Sequence, residues 1–186
     1  MFKKVKNVIA VIFSFLKFTF LKLLRWRGFE FGLIERFSPN TTINIWKQGY
    51  LSIGNKVSAH TGTKLSVTPG GIMMIDSGTK FNFNCILVAK EKIIIGKDVV
   101  FGPNVLVYDH DHDFSTSGGI RADKYITEPI TIGNNSWIGA GSIILRGTQI
   151  GNNCVIGAGS VVKGVIPDNT VFVQKRESAL RSIKEQ

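Results

Sequence analysis

IGNNSWIGAGSIILRGTQIGNNCVIGAGSVVKGVIP, residues 132–167, divides into six blocks of six. An aliphatic residue opens every block, at Ile132, Ile138, Ile144, Ile150, Ile156 and Val162. Glycine follows four of them, and a small or β-branched residue holds the fifth place of the first five blocks. A period of six is too short for a strand-turn-strand hairpin. It suits one short strand plus one turn, so three such units close a coil, and each coil buries its apolar side against its neighbours. The opening aliphatic is expected to point inward, and the small fifth residue to face in near a tight corner. Glycine and asparagine are expected to supply the turns, because both tolerate positive φ. The fold class is all-β, a parallel β-helix.

Working outward, the same pattern recurs at Ile53-Gly54-Asn55-Lys56-Val57, at Ile75-Asp76-Ser77-Gly78-Thr79, and in blocks opening at Phe81 and Leu87. The phase slips by two residues across 93–95, then resumes at Ile95-Gly96-Lys97-Asp98-Val99 and Phe101-Gly102-Pro103-Asn104-Val105. Coils are expected from about residue 40 to 173, within a β-helix domain of residues 37–173. One long break interrupts them: YDHDHDFSTSGGIRADKY, residues 108–125, is polar and rich in turn formers. An excursion of this length inside a compact repeat is usually functional. The tail, residues 174–186, reads as helical, and its stretch from Lys175 opens with two basic residues.

The N-terminal segment, residues 1–36, has a different character. It carries eight Lys/Arg and two Glu, so +6 of the chain's net charge of +10 lies there. Residues 3–27 contain neither glycine nor proline and read as a helix. On a helical wheel Lys3, Lys4, Lys6, Asn7, Ser14, Lys17, Lys22 and Arg25 gather on one side. Ile9, Ile12, Phe13, Leu16, Phe20, Leu23 and Leu24 fill the other. A spanning helix needs ~20 apolar residues with few charges, and Lys17 and Lys22 interrupt this run. No small-residue cleavage site follows, which counts against a signal peptide. A basic helix with a Leu- and Phe-rich face fits one lying at an anionic membrane surface. The alternative is a helix that covers the open end of the coil. Nucleic-acid binding is disfavoured, because the positive charge rides on an apolar helix. With 44% hydrophobic and 19% charged residues the chain is folded rather than disordered. Cys85 and Cys154 fall in strand-like repeats and read as buried free thiols of a reducing compartment.

Asp109-His110-Asp111-His112-Asp113 places two imidazoles among three carboxylates at the root of the excursion. An imidazole titrates near neutral pH and can take a proton from an attacking hydroxyl, while a neighbouring carboxylate holds its tautomer.

Residues 81–173 resemble the sugar O-acetyltransferases of the hexapeptide-repeat family, which includes the galactoside, maltose and nodulation-factor acetyltransferases. The resemblance rests on Phe81-Asn82-Phe83-Asn84, Gly102-Pro103-Asn104-Val105, residues 129–135 (PITIGNN), Trp137-Ile138-Gly139 and residues 156–160 (IGAGS). It implies a left-handed coil, direct acetyl transfer from acetyl-CoA to a hydroxyl without a covalent intermediate or a metal, and a homotrimer with active sites between adjacent subunits. The family's general-base histidine follows the Pro-Asn-Val turn. An ungapped count places it at His112, and a two-residue slip places it at His110. Asn82 matches an acceptor-contacting asparagine, and Asn84, Asp109 and Asp111 are assigned to the acceptor side with it. Trp137, Gly139, Ala140, Ala158 and Lys163 would line the pantetheine groove, with Lys175 and Arg176 near the CoA phosphates.

Two departures stand out. The usual Gly-x-Pro after the last coil is replaced by Val173-Gln174-Lys175-Arg176-Glu177-Ser178, and the small N-terminal helical domain of the soluble sugar enzymes is replaced by the basic helix. That helix looks more like the acetyltransferases of surface-polysaccharide clusters, and implies a cytoplasmic protein peripheral to the inner membrane face. The rival activities are N-acetylation of an amino-sugar nucleotide or antibiotic, a zinc hydratase on the same fold using His60, His110 and His112, and a non-catalytic scaffold at the membrane.

Overall fold

The computed structural model describes residues 2–175 and 177–179, with side chains from Asn7 onward. One helix, α1 (Phe2–Leu24), precedes a left-handed parallel β-helix. Two seven-stranded sheets and one six-stranded sheet form its three faces. Each coil visits them in one order, as in Tyr50–Ile53, Ser58–Ala59 and Lys64–Val67.

The coils begin at Phe29–Phe31, ahead of the expected boundary at residue 37, and run to Val171–Phe172. The first coil escaped the hexad pattern because phenylalanines, not aliphatics, fill it: Phe29 and Phe37 are fully buried. Phe29 stacks on Leu51, Leu51 on Met73, Met73 on Ile93 and Ile93 on Ile130, one interior column built from distant sequence. The offset between stacked residues falls from 22 (Leu51 to Met73) to 20 (Met73 to Ile93), 18 (Ile132 to Ile150) and 16 (Ile150 to Ile166). Strict hexads therefore hold only in the upper coils. The lower coils use four-residue strands such as Thr42–Ile45, and the apparent slip at residues 93–95 is where the coil shortens.

The corners separate two roles that the expectation had merged. Positive φ falls at the fourth place of the hexads, at Asn135 (54°), Gly141 (67°), Asn153 (56°) and Gly159 (68°). The glycine at the second place answers a different demand. A Cβ on Gly139 would stand 2.5 Å from the backbone nitrogen of Ala158 in the next coil, so only glycine lets these corners stack. The asparagines also pair up the stack: Asn135 donates to Asn153 (2.9 Å), and Asn153 to Asn169 (3.1 Å). The small fifth residues face in as expected. Ser142 and Thr148 are buried, and their hydroxyls donate to carbonyls of neighbouring turns. Cys85 and Cys154 are buried free thiols, and burial pushes Cys85 up to about 11.

Helix α1 covers the lower end, and it does so with the side the wheel called polar. Ser14 and Phe18 are fully buried. Ser14 Oγ accepts the Phe37 N–H (2.8 Å) and donates to Ala10 O (2.7 Å). Lys17 Nζ donates to Thr41 O (2.7 Å), and burial lowers its pKa. The edge of the first coil thus finds its hydrogen bonds in the helix. Phe18, absent from the expected face, plugs the interior with edge-to-face contacts to Phe37 (4.9 Å) and Phe29 (5.5 Å). Its burial contributes about 1.5–3 kcal/mol. At the other end Gln174 donates to Val161 O (2.7 Å) and accepts Val161 N–H (2.8 Å), covering the third sheet's edge with an amide. Of the expected C-terminal helix, residues 174, 175 and 177–179 are not helical; residue 176 and residues 180–186 lie outside the described residues.

In the first coil Glu35 is 1% exposed, and neither carboxylate oxygen has a hydrogen-bond partner among the described residues. Burial raises its pKa. A carboxyl with a raised folded-state pKa adds stability that is present at low pH and is lost as pH rises through that value. Glu35→Gln should match the wild type in thermal denaturation at acidic pH and exceed it at alkaline pH, by about 1–3 kcal/mol, the cost of a buried unsatisfied group. A gap that does not grow with pH would mean the carboxylate is solvated.

Candidate active site

The excursion leaves the coil at the edge where the third sheet turns into the first. Its root is Asp109, which is fully buried. The Asp109 carboxylate accepts backbone N–H groups from Lys90 (2.8 Å), Glu91 (2.8 Å) and Lys92 (2.8 Å), three successive donors at the same corner one coil below. Above it the chain runs out as a two-stranded antiparallel ribbon, His110–His112 with Tyr125–Thr127. The ribbon is closed at its root by Glu128 N–H donating to Asp109 O (2.9 Å) and farther out by Asp113 N–H donating to Lys124 O (2.8 Å).

His110 and His112 are two apart on one strand and so share a face. His110 Nδ1 lies 3.0 Å from Asp109 Oδ1, with the ring edge-to-face between Tyr108 (6.0 Å) and Tyr125 (5.6 Å). Its side chain is 15% exposed. A carboxylate can only accept, so this contact puts the proton on Nδ1 and leaves Nε2 as the free acceptor. His112 is exposed and leans on Tyr125, 4.5 Å between ring centres. The Lys90 ammonium stands 3.5 Å from the centre of the same Tyr125 ring. The phenol donates to Asp123 (2.6 Å), which raises its pKa.

Asp111 pairs with Arg146, Nε to Oδ2 at 2.6 Å, while Arg146 Nη1 donates to Glu128 (2.9 Å). The hydrogen bond to Asp111 raises the Arg146 pKa. Of the two aspartates expected on the acceptor side, Asp109 is fully buried and the Asp111 side chain is 51% exposed. The Asp109 carboxylate is enclosed and occupied by backbone donors and His110, and Asp111 braces the ribbon against the coil. Arg146, Glu128, Tyr125 and Lys90 did not stand out in the sequence. Arg146 alone left a signal, as an arginine at the third place of a hexad where the neighbouring blocks carry asparagine or alanine.

The other expected residues fall elsewhere. Asn82 and Asn84 lie at the edge between the second and third sheets, where Asn82 Oδ1 accepts the Phe83 N–H (2.9 Å). Gly139, Ala140 and Ala158 stack along that edge above them, closely enough that Gly102 has no room for a Cβ beneath Ala140. Trp137 stands on the adjoining second sheet, 53% exposed. This edge is a shallow track with nothing larger than a methyl group at residues 139–141 and 157–159, below exposed Val173. Lys163 lies on the histidine edge instead, Lys175 is exposed beyond the last strand, and Arg176 lies outside the described residues. One chain therefore holds two groups on two different edges, a sheet's width apart. His60 is at the Asn82 edge, 4.7 Å from Phe83, away from the other two histidines. Among the described residues no three His, Cys, Asp or Glu side chains converge as a metal site requires.

A hexad-built parallel β-helix with a histidine ribbon projecting from one edge has the architecture of a coil-type acyltransferase. Residues 129–164 match the bacterial transferase hexapeptide profile, six repeats. The galactoside O-acetyltransferase of Lactococcus lactis subsp. lactis (strain IL1403) is 34% identical over 146 residues, 75% of this chain and 69% of that protein. The protein named in Escherichia coli (strain K12) as the lipopolysaccharide biosynthesis O-acetyl transferase WbbJ is 31% identical over 135 residues, 68% of this chain and 69% of its own. Among solved structures, a variant of AntD, an N-acyltransferase from Bacillus cereus, in complex with dTDP-4-amino-4,6-dideoxyglucose and coenzyme A, superposes with a TM-score of 0.67 at 25% identity, covering 84% of this chain and 86% of that one. The chain belongs to the hexapeptide-repeat acyltransferase family, and it is an acetyltransferase.

The Asp109 anchor generates a direct expectation. In Asp109→Asn an amide NH2 must meet one of the backbone donors it replaces an acceptor for. Hydrogen-exchange protection should drop across residues 109–128, with a loss of about 1–3 kcal/mol in thermal stability. Unchanged protection there would show that the ribbon does not depend on the Asp109 carboxylate.

Proposed function

We propose that this chain transfers acetyl from acetyl-CoA to a hydroxyl of a saccharide, with His110 as general base. The observation that carries the assignment is the Asp109–His110 contact. It is the only carboxylate contact to a histidine among the described residues, and it presents a basic Nε2 at the surface of the ribbon. Nε2 takes the hydroxyl proton as the oxygen attacks the thioester carbonyl. The C–O bond forms, the C–S bond breaks, and the imidazolium returns the proton to the departing thiolate. Trp137, Ala140 and Ala158 offer the pantetheine arm a flat path along the other edge, with Lys175 near its end. Asp109 and Arg146 act through the ribbon they position.

The separation of the two edges supports a site shared between subunits. The histidine edge of one copy set against the alanine track of the next would complete it, and a head-to-tail contact of two unlike edges closes into a ring such as a trimer. The names of the Lactococcus and Escherichia relatives favour oxygen as the acceptor atom, and the second favours a surface glycan. The AntD complex supports a second reading, an amino-sugar nucleotide acylated on nitrogen.

Release of CoA thiol should be followed with acetyl-CoA and a panel of saccharides and amino-sugar nucleotides. His110→Ala should lower turnover ~10²–10⁴-fold, the usual share of a general base, with acetyl-CoA binding kept. His112→Ala should cost far less; the reverse order would give the base to His112, as the ungapped count has it. Mixing His110→Ala subunits with Ala158→Trp subunits should restore activity above either parent. Failure to complement, with mixed oligomers demonstrated by tag pull-down, would place each site within one chain.

A further inference from the structure

We propose that α1 lies in the plane of an anionic membrane, its outward face in the lipid while its inward face closes the β-helix. The helix is two-faced in an unusual sense. The side that docks is marked by Ser14, Lys17 and Phe18, and its hydrogen bonds go to the first coil. The opposite side carries Ile9, Ile12, Leu16, Phe20 and Leu23, each 55–70% exposed. No charged residue falls among these five positions, which span about 80° of the circumference at 3.6 residues per turn. Because the docked side plugs the coil, this apolar side points away from it, out of the end of the molecule.

The surroundings say what covers this face. Lys22 lies at its margin with its ammonium 5.7 Å from the ring of Trp26, itself 70% exposed. A groove of about 390 Å³ runs along the helix between Val8 and Ile12 on one side and exposed Arg36 and Lys56 on the other. An apolar field rimmed by cations and an exposed tryptophan matches the acyl-to-headgroup boundary of an anionic bilayer. A second copy would bring the same cations together, against their mutual repulsion.

By length and composition residues Asn7–Leu24 would also suffice to cross a bilayer. The docking contradicts that orientation: a crossing helix would carry Lys17, Ser14 and the first coil's edge into hydrocarbon, whereas an in-plane helix sinks only its outer face, by ~5–10 Å. From Phe29–Phe31 to Lys92–Ile95, the coil from which the histidine ribbon departs, is three rungs, about 14 Å at the usual strand spacing. Resting on the proposed function, the acceptor is a saccharide carried on a lipid, its reacting hydroxyl standing off the bilayer by that height plus the part of the helix that stands above the lipid.

The test is flotation of the purified full chain with vesicles of phosphatidylcholine alone or mixed with phosphatidylglycerol, which reads lipid contact without any acetyl transfer. Wild type should float with the mixed vesicles in preference to the neutral ones, and alkaline carbonate should strip it. Ile12→Gln/Leu16→Gln/Phe20→Gln, all at exposed positions, should cut the bound fraction at least ~10-fold while oligomer mass by light scattering stays the same. Equal flotation of the variant would overturn the proposal. So would a changed oligomer mass without a change in flotation, which would give the face to a second copy. Carbonate-resistant binding would make the helix a true span.

Discussion

Everything in this molecule follows from handing each backbone hydrogen bond to the coil above or below at a spacing of about 4.8 Å. Stacking at that pitch leaves no room for a Cβ where corners meet, which is why Gly139 sits beneath Ala158. It forces one left-handed residue per corner, filled by Asn135, Gly141, Asn153 and Gly159. It also creates two ends with unpaired strand edges and an open apolar bore. The protein closes them with different chemistry. Below, α1 supplies a phenylalanine plug, a serine hydroxyl and a lysine ammonium. Above, the amide of Gln174 mimics a strand.

The same stacking makes the histidine ribbon possible. A coil corner can be extruded without disturbing the sheets, provided the interrupted corner is held. Asp109 does this by accepting three N–H groups of the corner below, and it contacts His110 in the same act. Arg146 ties the ribbon from its other face through Asp111 and Glu128. The closure of the corner and the seating of His110 thus rest on one buried carboxylate. A triangular coil presents its three edges to three directions, so a ribbon on one edge and a flat alanine track on another invite a neighbour to bring them together.

Helix α1 closes the lower end of the coil with its polar side. Its polar residues are spent on the coil, which frees its apolar residues to face outward. That is the reverse of an ordinary surface helix, whose apolar stripe faces the core. The proposed bilayer would cover the outer face without competing for the docked side.

The sequence by itself determined the all-β coil, its inward aliphatic columns, the buried cysteines and the place of the excursion, because six-residue periodicity is a local property that translates directly into stacking. It located the acid–histidine cluster for the same reason, as the one long violation of the period. It did not determine the first coil, whose phenylalanines carry no hexad signature. Nor did it show which side of the helix docks, since an amphipathic wheel is silent about which face meets the protein. The division of labour among Asp109, Asp111 and the two histidines was decided only by tertiary structure. Asp109 meets residues 90–92 because coils of 20 residues bring those positions into register, a contact between distant segments that no local pattern encodes.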